Sequence, residues 1–255
     1  MQFIFGSAKA PSVQPVLLSG SNTATEATTT FLWKKDITFN NEDGADRLLV
    51  IVYGSEGEFN AFHSTPKYNG ISGVRIGSKS ATAPAGGGFH TSIISAHYWL
   101  ESQLPSSDGD FEFQITIAAQ FGFGHHARAF LFKNVDQTTP VGTMQTRSQL
   151  VGVPTFQVPI TASGLQDKAV VLGVQTSVLG PTYVTGDHRD NGSNMEDIIE
   201  QQARPATAIF GGGAFASAHD IIPSASEDYI WDIDFGTTTL VQATVSLLVP
   251  VNVLP

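Results

Sequence analysis

The sequence predicts an all-β protein, an antiparallel β-sandwich of about a dozen strands, and three observations carry the prediction. Apolar and polar residues alternate through Phe111-Glu112-Phe113-Gln114-Ile115-Thr116-Ile117 and through Tyr229-Ile230-Trp231-Asp232-Ile233-Asp234-Phe235. A period of two sends successive side chains to opposite faces of a strand, so each segment reads as a strand with one buried and one wet face. Leu48-Leu49-Val50-Ile51-Val52-Tyr53 and Val170-Val171-Leu172 are instead continuous apolar runs, the pattern of strands covered on both faces. Gly, Pro, Asn and Asp separate these segments, as turns between strands require.

In chain order, the short apolar piece Val13–Leu18 precedes Ser19–Thr30, a stretch rich in Ser, Thr, Asn and Ala that reads as flexible. Residues 1–30 are expected to form an N-terminal extended segment or arm, ahead of a single β-sandwich domain over 31–255. That segment is either an edge strand of the same body or a strand lent to a neighbouring subunit. Asn69-Gly70 lies between Thr65–Tyr68 and Ile71–Ile76, and this dipeptide suits a tight hairpin whose two central residues need positive φ. Ala81–Gly88, rich in Ala, Pro and Gly, reads as flexible. One short helix is expected near 195–203: Asn194 is a good N-cap, Glu196 and Asp197 sit in the first turn, and Pro205 stops the segment. Val241, Ala243, Val245, Leu247 and Val249 alternate with Gln242, Thr244 and Ser246 as a last strand.

The chain also echoes itself. Asp46-Arg47-Leu48-Leu49-Val50-Ile51 is similar to Asp167-Lys168-Ala169-Val170-Val171-Leu172, and Asp36-Ile37-Thr38 precedes the first as Pro159-Ile160-Thr161 precedes the second. The echo is either an internal repeat or a coincidence between β-rich segments. In both cases the two apolar runs belong at the centre of the sandwich.

Several segments, in order, carry a family resemblance: Ala45–Val50, Pro66–Gly70, His97-Tyr98-Trp99-Leu100 with Pro105 and Gly109, Asn134-Val135-Asp136-Gln137-Thr138-Thr139-Pro140-Val141-Gly142, and Asp167–Val171. Together they resemble a jelly-roll-like β-sandwich module of bacterial surface proteins and of phage or prophage structural (virion) proteins, over roughly Phe31 to Val249. Val135–Pro140 is the most specific element. The resemblance implies a jelly-roll-like fold and a role in adhesion or assembly, and it implies no catalytic residues. Without a signal peptide or anchor in this sequence, the virion side of the family is favoured.

Composition bounds the chemistry. Cysteine is absent from the 255 residues, which removes disulfides, thiolate metal sites and cysteine nucleophiles. Thirteen basic against 23 acidic residues give a net charge of −10 with no basic run, so binding to nucleic acid through counterion release is not expected. Charged residues form only 14% of the chain, low for a free globular surface. The first residues lack the basic and long apolar regions of a signal peptide, and no stretch is long enough to span a bilayer. The expectation is a protein made in the host cytoplasm and located in the virion.

Candidate sites are few. His125 and His126 are adjacent and, on a strand, point to opposite faces, so they do not chelate one ion. His97 shares a face with Ser95 and Trp99, where a hydrogen-bonded sheet histidine is expected. The loops Asn40–Asp46 and Asp187–Asn194 offer oxygen ligands, but the second departs from the EF-hand order at Arg189 and Ile198. Asp232 and Asp234, two apart on one strand face, raise a glycosidase question, yet the flanking glutamates of sandwich-fold glucanases are missing. Asn191-Gly192-Ser193 is a glycosylation sequon that matters only in a secreted protein. Phe121 and Phe123 sit in a glycine-rich segment, either packed or presented as a contact patch.

The expectation is therefore a non-enzymatic virion protein, a capsid decoration, head or tail component. It would be a homo-oligomer partnered by other virion proteins, with no catalytic residue, metal or cofactor. A carbohydrate- or receptor-binding module with a host glycan as ligand is the alternative, and a glycoside hydrolase-like sandwich the third reading.

Overall fold

The described residues form eighteen strands, all paired antiparallel, which account for the alternation in the sequence. The structure is a computed structural model that describes residues 16–26, 32–41, 45–58, 62–85, 88–118, 121–151, 153, 155–178, 187–190, 195–203, 212–221, 223–234 and 242–254. The first half holds β1 (Val16–Glu26), β2 (Leu32–Phe39), β3 (Leu48–Glu58), β4 (Phe62–His63), β5 (Lys67–Tyr68), β6 (Ile71–Ser72), β7 (Val74–Ala85), β8 (Gly88–Leu100), β9 (Gly109–Ala118) and β10 (Phe121–Lys133). The second holds β11 (Gln145–Val151), β12 (Thr155–Ser163), β13 (Lys168–Val178), β14 (Asp187–Asp190), β15 (Glu196–Ala203), β16 (Gly212–Asp220), β17 (Ser226–Asp234) and β18 (Gln242–Asn252).

Four sheets stack in layers. An inner sheet β1-β10-β3-β8-β7 is covered by an outer sheet β2-β9-β5-β6, with β4 also on β9. A second inner sheet, β11-β18-β13-β16-β15, is covered by β12-β17-β14. Matching β1 to β11, β2 to β12, β3 to β13, β5 to β14 and β7–β10 to β15–β18 turns the first pair of orders into the second. The chain is thus two jelly-roll-like sandwiches of one topology, back to back through their five-stranded sheets.

The echo in the sequence is this repeat. Asp46 and Asp167 both take positive φ, 56° and 60°, at the mouths of the two central strands β3 and β13. From there the registers correspond residue by residue. Leu49, Ile51 and Tyr53 join Trp33, Trp99 and Phe113 in the first sandwich core. Val170, Leu172 and Val174 join Tyr229 and Trp231 in the second. The alternate residues Leu48, Val50 and Val52 meet Ala169, Val171, Val249 and Val251 in a third core between the inner sheets. Both runs are continuously apolar because both strands are covered on both faces.

The halves pack about a pseudo-twofold. β8 lies against β18 while β16 lies against β10, and β7 against β11 while β15 lies against β1. Such reciprocity is the mark of an isologous interface. At its centre the equivalent positions Val52 and Gly173 meet each other: a Cβ on Gly173 would sit 2.7 Å from Val52 Cγ1. The glycine is required there by close approach of the two sheets.

The segment that the family resemblance singled out, Asn134–Gly142, is the connector between the halves, and it clamps them. Val135 bridges to Val253 and Val141 to Val251. The Gln137 amide donates to the Arg47 and Val135 carbonyls, both at 3.2 Å, and its oxygen accepts from the Glu101 N–H. Asp136 accepts from the N–H groups of Thr138 and Thr139 and from the Thr139 hydroxyl, which holds its carboxyl below the usual range. Beside it, the nearly buried Arg47 guanidinium chelates Glu101.

Four expectations need correction or refinement. The helix near 195–203 is strand β15, laddered to β16 from Glu196↔His219 to Ala203↔Gly213 with one bulge. Nine residues of good helix propensity do not make a stable isolated helix, and the open edge of an inner sheet offers them a full ladder instead. Ser19–Glu26 belongs to β1, an edge strand on β10, and Ala81–Ala85 to β7. The range 31–255, read as one sandwich, holds two, with β1 belonging to the first. Asn69-Gly70 does turn a hairpin, with φ of 50° and 75° between β5 and β6.

Two outcomes follow for stability, both readable by chemical denaturation. Gly173→Val is expected to cost about 1–3 kcal/mol or more, because the seam has no room for the added methyls. Gln137→Ala is expected to cost about 1–2 kcal/mol by stripping partners from three backbone groups of the clamp.

Candidate functional site

Register builds a polar pocket where the sequence shows only scattered residues. Pairing of β7 with β8 sets Arg75 opposite His97 and Ser78 opposite Ser95, with a bulge between Arg75 and Gly77. Alternation along β8 sends Ile94 and Ala96 into the seam and Ile93, Ser95, His97 and Trp99 toward the outer sheet. Over these positions the outer sheet narrows to β4 and the residues after it. Ser64 is tied to β9 by bonds between its N–H and the Thr116 carbonyl and between the Thr116 N–H and its hydroxyl. Between the two layers lies a cavity of about 230 Å³, with Arg75, Ser78, Ser95 and His97 on one side and His63, Ser64 and Thr65 on the other.

A chain of hydrogen bonds runs from this cavity into the core. His63 joins Ser95 Oγ through Nδ1 at 2.7 Å and Ser55 Oγ through Nε2 at 2.9 Å. Ser55 Oγ also meets His125 Nδ1 at 3.1 Å. Beside them the Tyr53 hydroxyl meets His97 Nδ1 at 2.9 Å. Tyr53 stacks obliquely on His63, with ring centres 4.8 Å apart, and packs on Phe113. Burial holds the His63 imidazole well below its usual pKa, helped by His125 and His97. Burial first, and then the Arg75 charge, push His97 down to about 4. Burial pushes the Tyr53 phenol up. At neutral pH His63, His97 and Tyr53 are uncharged rings next to one guanidinium.

Arg75 stands at the rim, its Nη2 donating to Ser78 Oγ at 2.8 Å. Among the described residues no carboxylate pairs with it. His97 is 3% exposed, and its Nε2, the ring atom directed away from Tyr53, has no hydrogen-bond partner among the described residues.

The other sequence candidates are dispersed. His125 and His126 do part to opposite faces: His125 packs on Trp33 at 5.6 Å, and His126 stacks on Phe215 across the seam at 5.7 Å. His97 is a hydrogen-bonded sheet histidine. In the first oxygen-rich loop, the Asn41 side-chain oxygen accepts from Arg47 while its N–H donates to Asp108. Residues 42–44 lie outside the described residues. Asp187–Asp190 form β14 on β17, and 191–194 lie outside the described residues. Asp232 is half-buried on β17, while the side chains of Asp234, Phe121 and Phe123 lie outside them. No group of three His, Asp or Glu converges as a metal site would among the described residues.

Sequence reading missed Arg75, Ser78 and His63, because only the β7–β8 register and the short β4 bring them to His97. It also missed Arg128, fully buried between the inner sheets, where Nη1 donates to the Ser217 carbonyl at 2.7 Å over the Phe130 ring. An arginine inside an alternating apolar strand was the available signal.

Acid should expose the histidine cluster. The folded pKa of His97 lies below its unfolded value of 6.5. The unfolded chain therefore binds a proton that the native state refuses, and stability falls as pH falls from about 6.5 toward 4. His97 alone accounts for about 3 kcal/mol of that loss, and His63 adds to it with the same sign. His97→Asn, which keeps an acceptor for Tyr53, should flatten the slope of unfolding free energy against pH in this window. An unchanged slope would remove His97 as the cause.

What the pocket does has to be read from its own residues, since no protein-family model, curated protein or solved structure matches this chain.

Proposed function

We propose that this chain is a non-enzymatic structural component of a bacteriophage particle, working through protein–protein assembly. The observation that carries the reading is the back-to-back fusion of two sandwiches into one block. Four sheets stacked about 10 Å apart set the outer two faces about 30 Å from each other. The side chains that bind the halves are buried: Val52, Phe130, Val171 and Leu247 by packing, and Arg128, Ser92 and Ser177 by hydrogen bonds. A block held in this way transmits load between two faces without hinging, which suits a lattice or a shaft.

The surface agrees with burial against neighbours. Only 14% of residues are charged. Large apolar side chains are exposed at Ile71 and Val74, beside and on edge strand β7, and at Leu150 and Val153, on and beyond edge strand β11. These two edges lie against each other, so four of the five large apolar side chains exposed among the described residues gather on one side of the stack, and Leu32 on β2 is the fifth. The resemblance along Asn134–Gly142 points to the same class of protein.

Light scattering on the purified chain, with electron microscopy of particles from its source, tests the proposal. A defined oligomer, and its density on a capsid or tail, is the expected result. A lone monomer that is absent from every particle would overturn the assembly reading.

A further inference from the structure

We infer that the pocket between β4 and the β7–β8 ladder is a binding site for a small oxyanion, a carboxylate or phosphate group held by Arg75 and His97. The inference goes beyond the assembly reading and does not depend on it. Three observations converge.

The first is an unneutralised cation in a chain of charge −10. Arg75 has a serine as its hydrogen-bond partner and no carboxylate among the described residues. A guanidinium presents several N–H donors in a planar fork that matches the two oxygens of a carboxylate or phosphate. Ser78 holds the fork in place over the cavity.

The second is His97 Nε2. A buried polar atom without a partner costs about 1–3 kcal/mol, and the core supplies none among the described residues. In the tautomer in which the Tyr53 hydroxyl donates to Nδ1, the neutral ring carries its proton on Nε2. That atom is then a buried donor with almost no exposed surface, behind the pocket wall and on the same strand face as Arg75, directly across the ladder from it. Both groups donate, and an oxyanion accepts. The hydroxyls of Ser64 and Thr65 on the facing wall supply further hydrogen bonds. A cavity of about 230 Å³ lies below the range of drug-sized sites, so the ligand is small.

The third is the other half of the molecule. The register β3–β8 pairs Ile51 with His97 and Tyr53 with Ser95, while β13–β16 pairs Leu172 with Ala218 and Val174 with Ala216. The places of His97 and Ser95 are therefore taken by Ala218 and Ala216, which pack into the apolar core beneath Tyr229 and Trp231. The topology alone does not call for polar groups there, and in the first half they partner Tyr53 and His63. Where the same scaffold carries no such pocket chemistry, it fills the space with methyl groups and aromatic rings.

Titration of the full chain with three probes, followed by the histidine side-chain ¹H–¹⁵N signals and by calorimetry, tests this. Inorganic phosphate and sodium glucuronate present the oxyanion with and without a sugar ring, and neutral glucose presents the ring alone. Shifts at His97 with either anion and none with glucose are expected. A stronger response to glucuronate would assign an acidic sugar, and a stronger response to phosphate a phosphate group. Arg75→Gln, at an exposed position, should fold normally and weaken anion binding about tenfold or more, while Lys34→Gln on the outer face of β2 leaves it unchanged. No His97 shift with either anion would overturn the site, as would an equal response to glucose or undiminished binding by Arg75→Gln.

Discussion

The structure depends on the seam between the two inner sheets. β3 and β13 cross there at equivalent positions, and the crossing is close because Gly173 offers no side chain to Val52. An eight- or ten-stranded sandwich alone would leave the outer face of its five-stranded sheet, with Val50, Phe130 and Phe132 in one half or Val171, Leu247 and Val249 in the other, facing water. Each half supplies the cover the other lacks. The repeat is therefore an energetic necessity as well as a likeness of topology, and the connector Asn134–Gly142 keeps the two covers in register.

The seam is not uniformly apolar. Toward one end it holds Arg128, His126, Gln175, Ser92, Ser177 and Ser217, all nearly or fully buried. Burying a guanidinium is costly unless its donors are met. Arg128 meets the Ser217 carbonyl across the interface, while Ser92 meets Ser177 and the Ala243 carbonyl. Hydrophobic packing sets how strongly the halves adhere. These directional bonds set where they adhere, because a slip along the seam would separate Arg128 from the Ser217 carbonyl and Ser92 from Ser177.

Most of the fold was legible in the sequence, for a physical reason. Burial on one face imposes alternation, and burial on two faces imposes a continuous run, so Phe111–Thr116 and Leu48–Tyr53 announced their environments correctly. The run could not say what covered its second face. The likeness between Asp46–Ile51 and Asp167–Leu172 held the answer, since both begin at an aspartate with positive φ and both feed a central strand. Too few residues matched for repeat and coincidence to be separated without the pairings. The segment 195–203 misled because its local preference was real but weak, and ladder pairing at a sheet edge outweighed it. The pocket was illegible for another reason. Twenty-two residues separate Arg75 from His97 in number, and only hairpin register, shifted by a bulge, sets them side by side.

The two halves also separate what the scaffold requires from what it permits. Positions that the topology requires are filled alike: Leu49 and Val170, Ile51 and Leu172, and Phe113 and Trp231 line their respective cores. Even a polar pair deep in each inner sheet is kept in kind, as Ser55 with His125 in one half and Thr176 with Thr244 in the other. These pairs are solutions to a shared packing problem. His97 and Ser95 against Ala218 and Ala216 break that rule, and they do so beside a cavity and an unneutralised arginine. The departure comes with its neighbours: Tyr53, which meets His97, stands where the second half has Val174, and His63, which meets Ser95, lies on β4, for which the second half shows no counterpart among the described residues. What differs there is a polar network, Tyr53 with His97 and His63 with Ser95, set beside the cavity where the other half has the apolar Val174, Ala216 and Ala218.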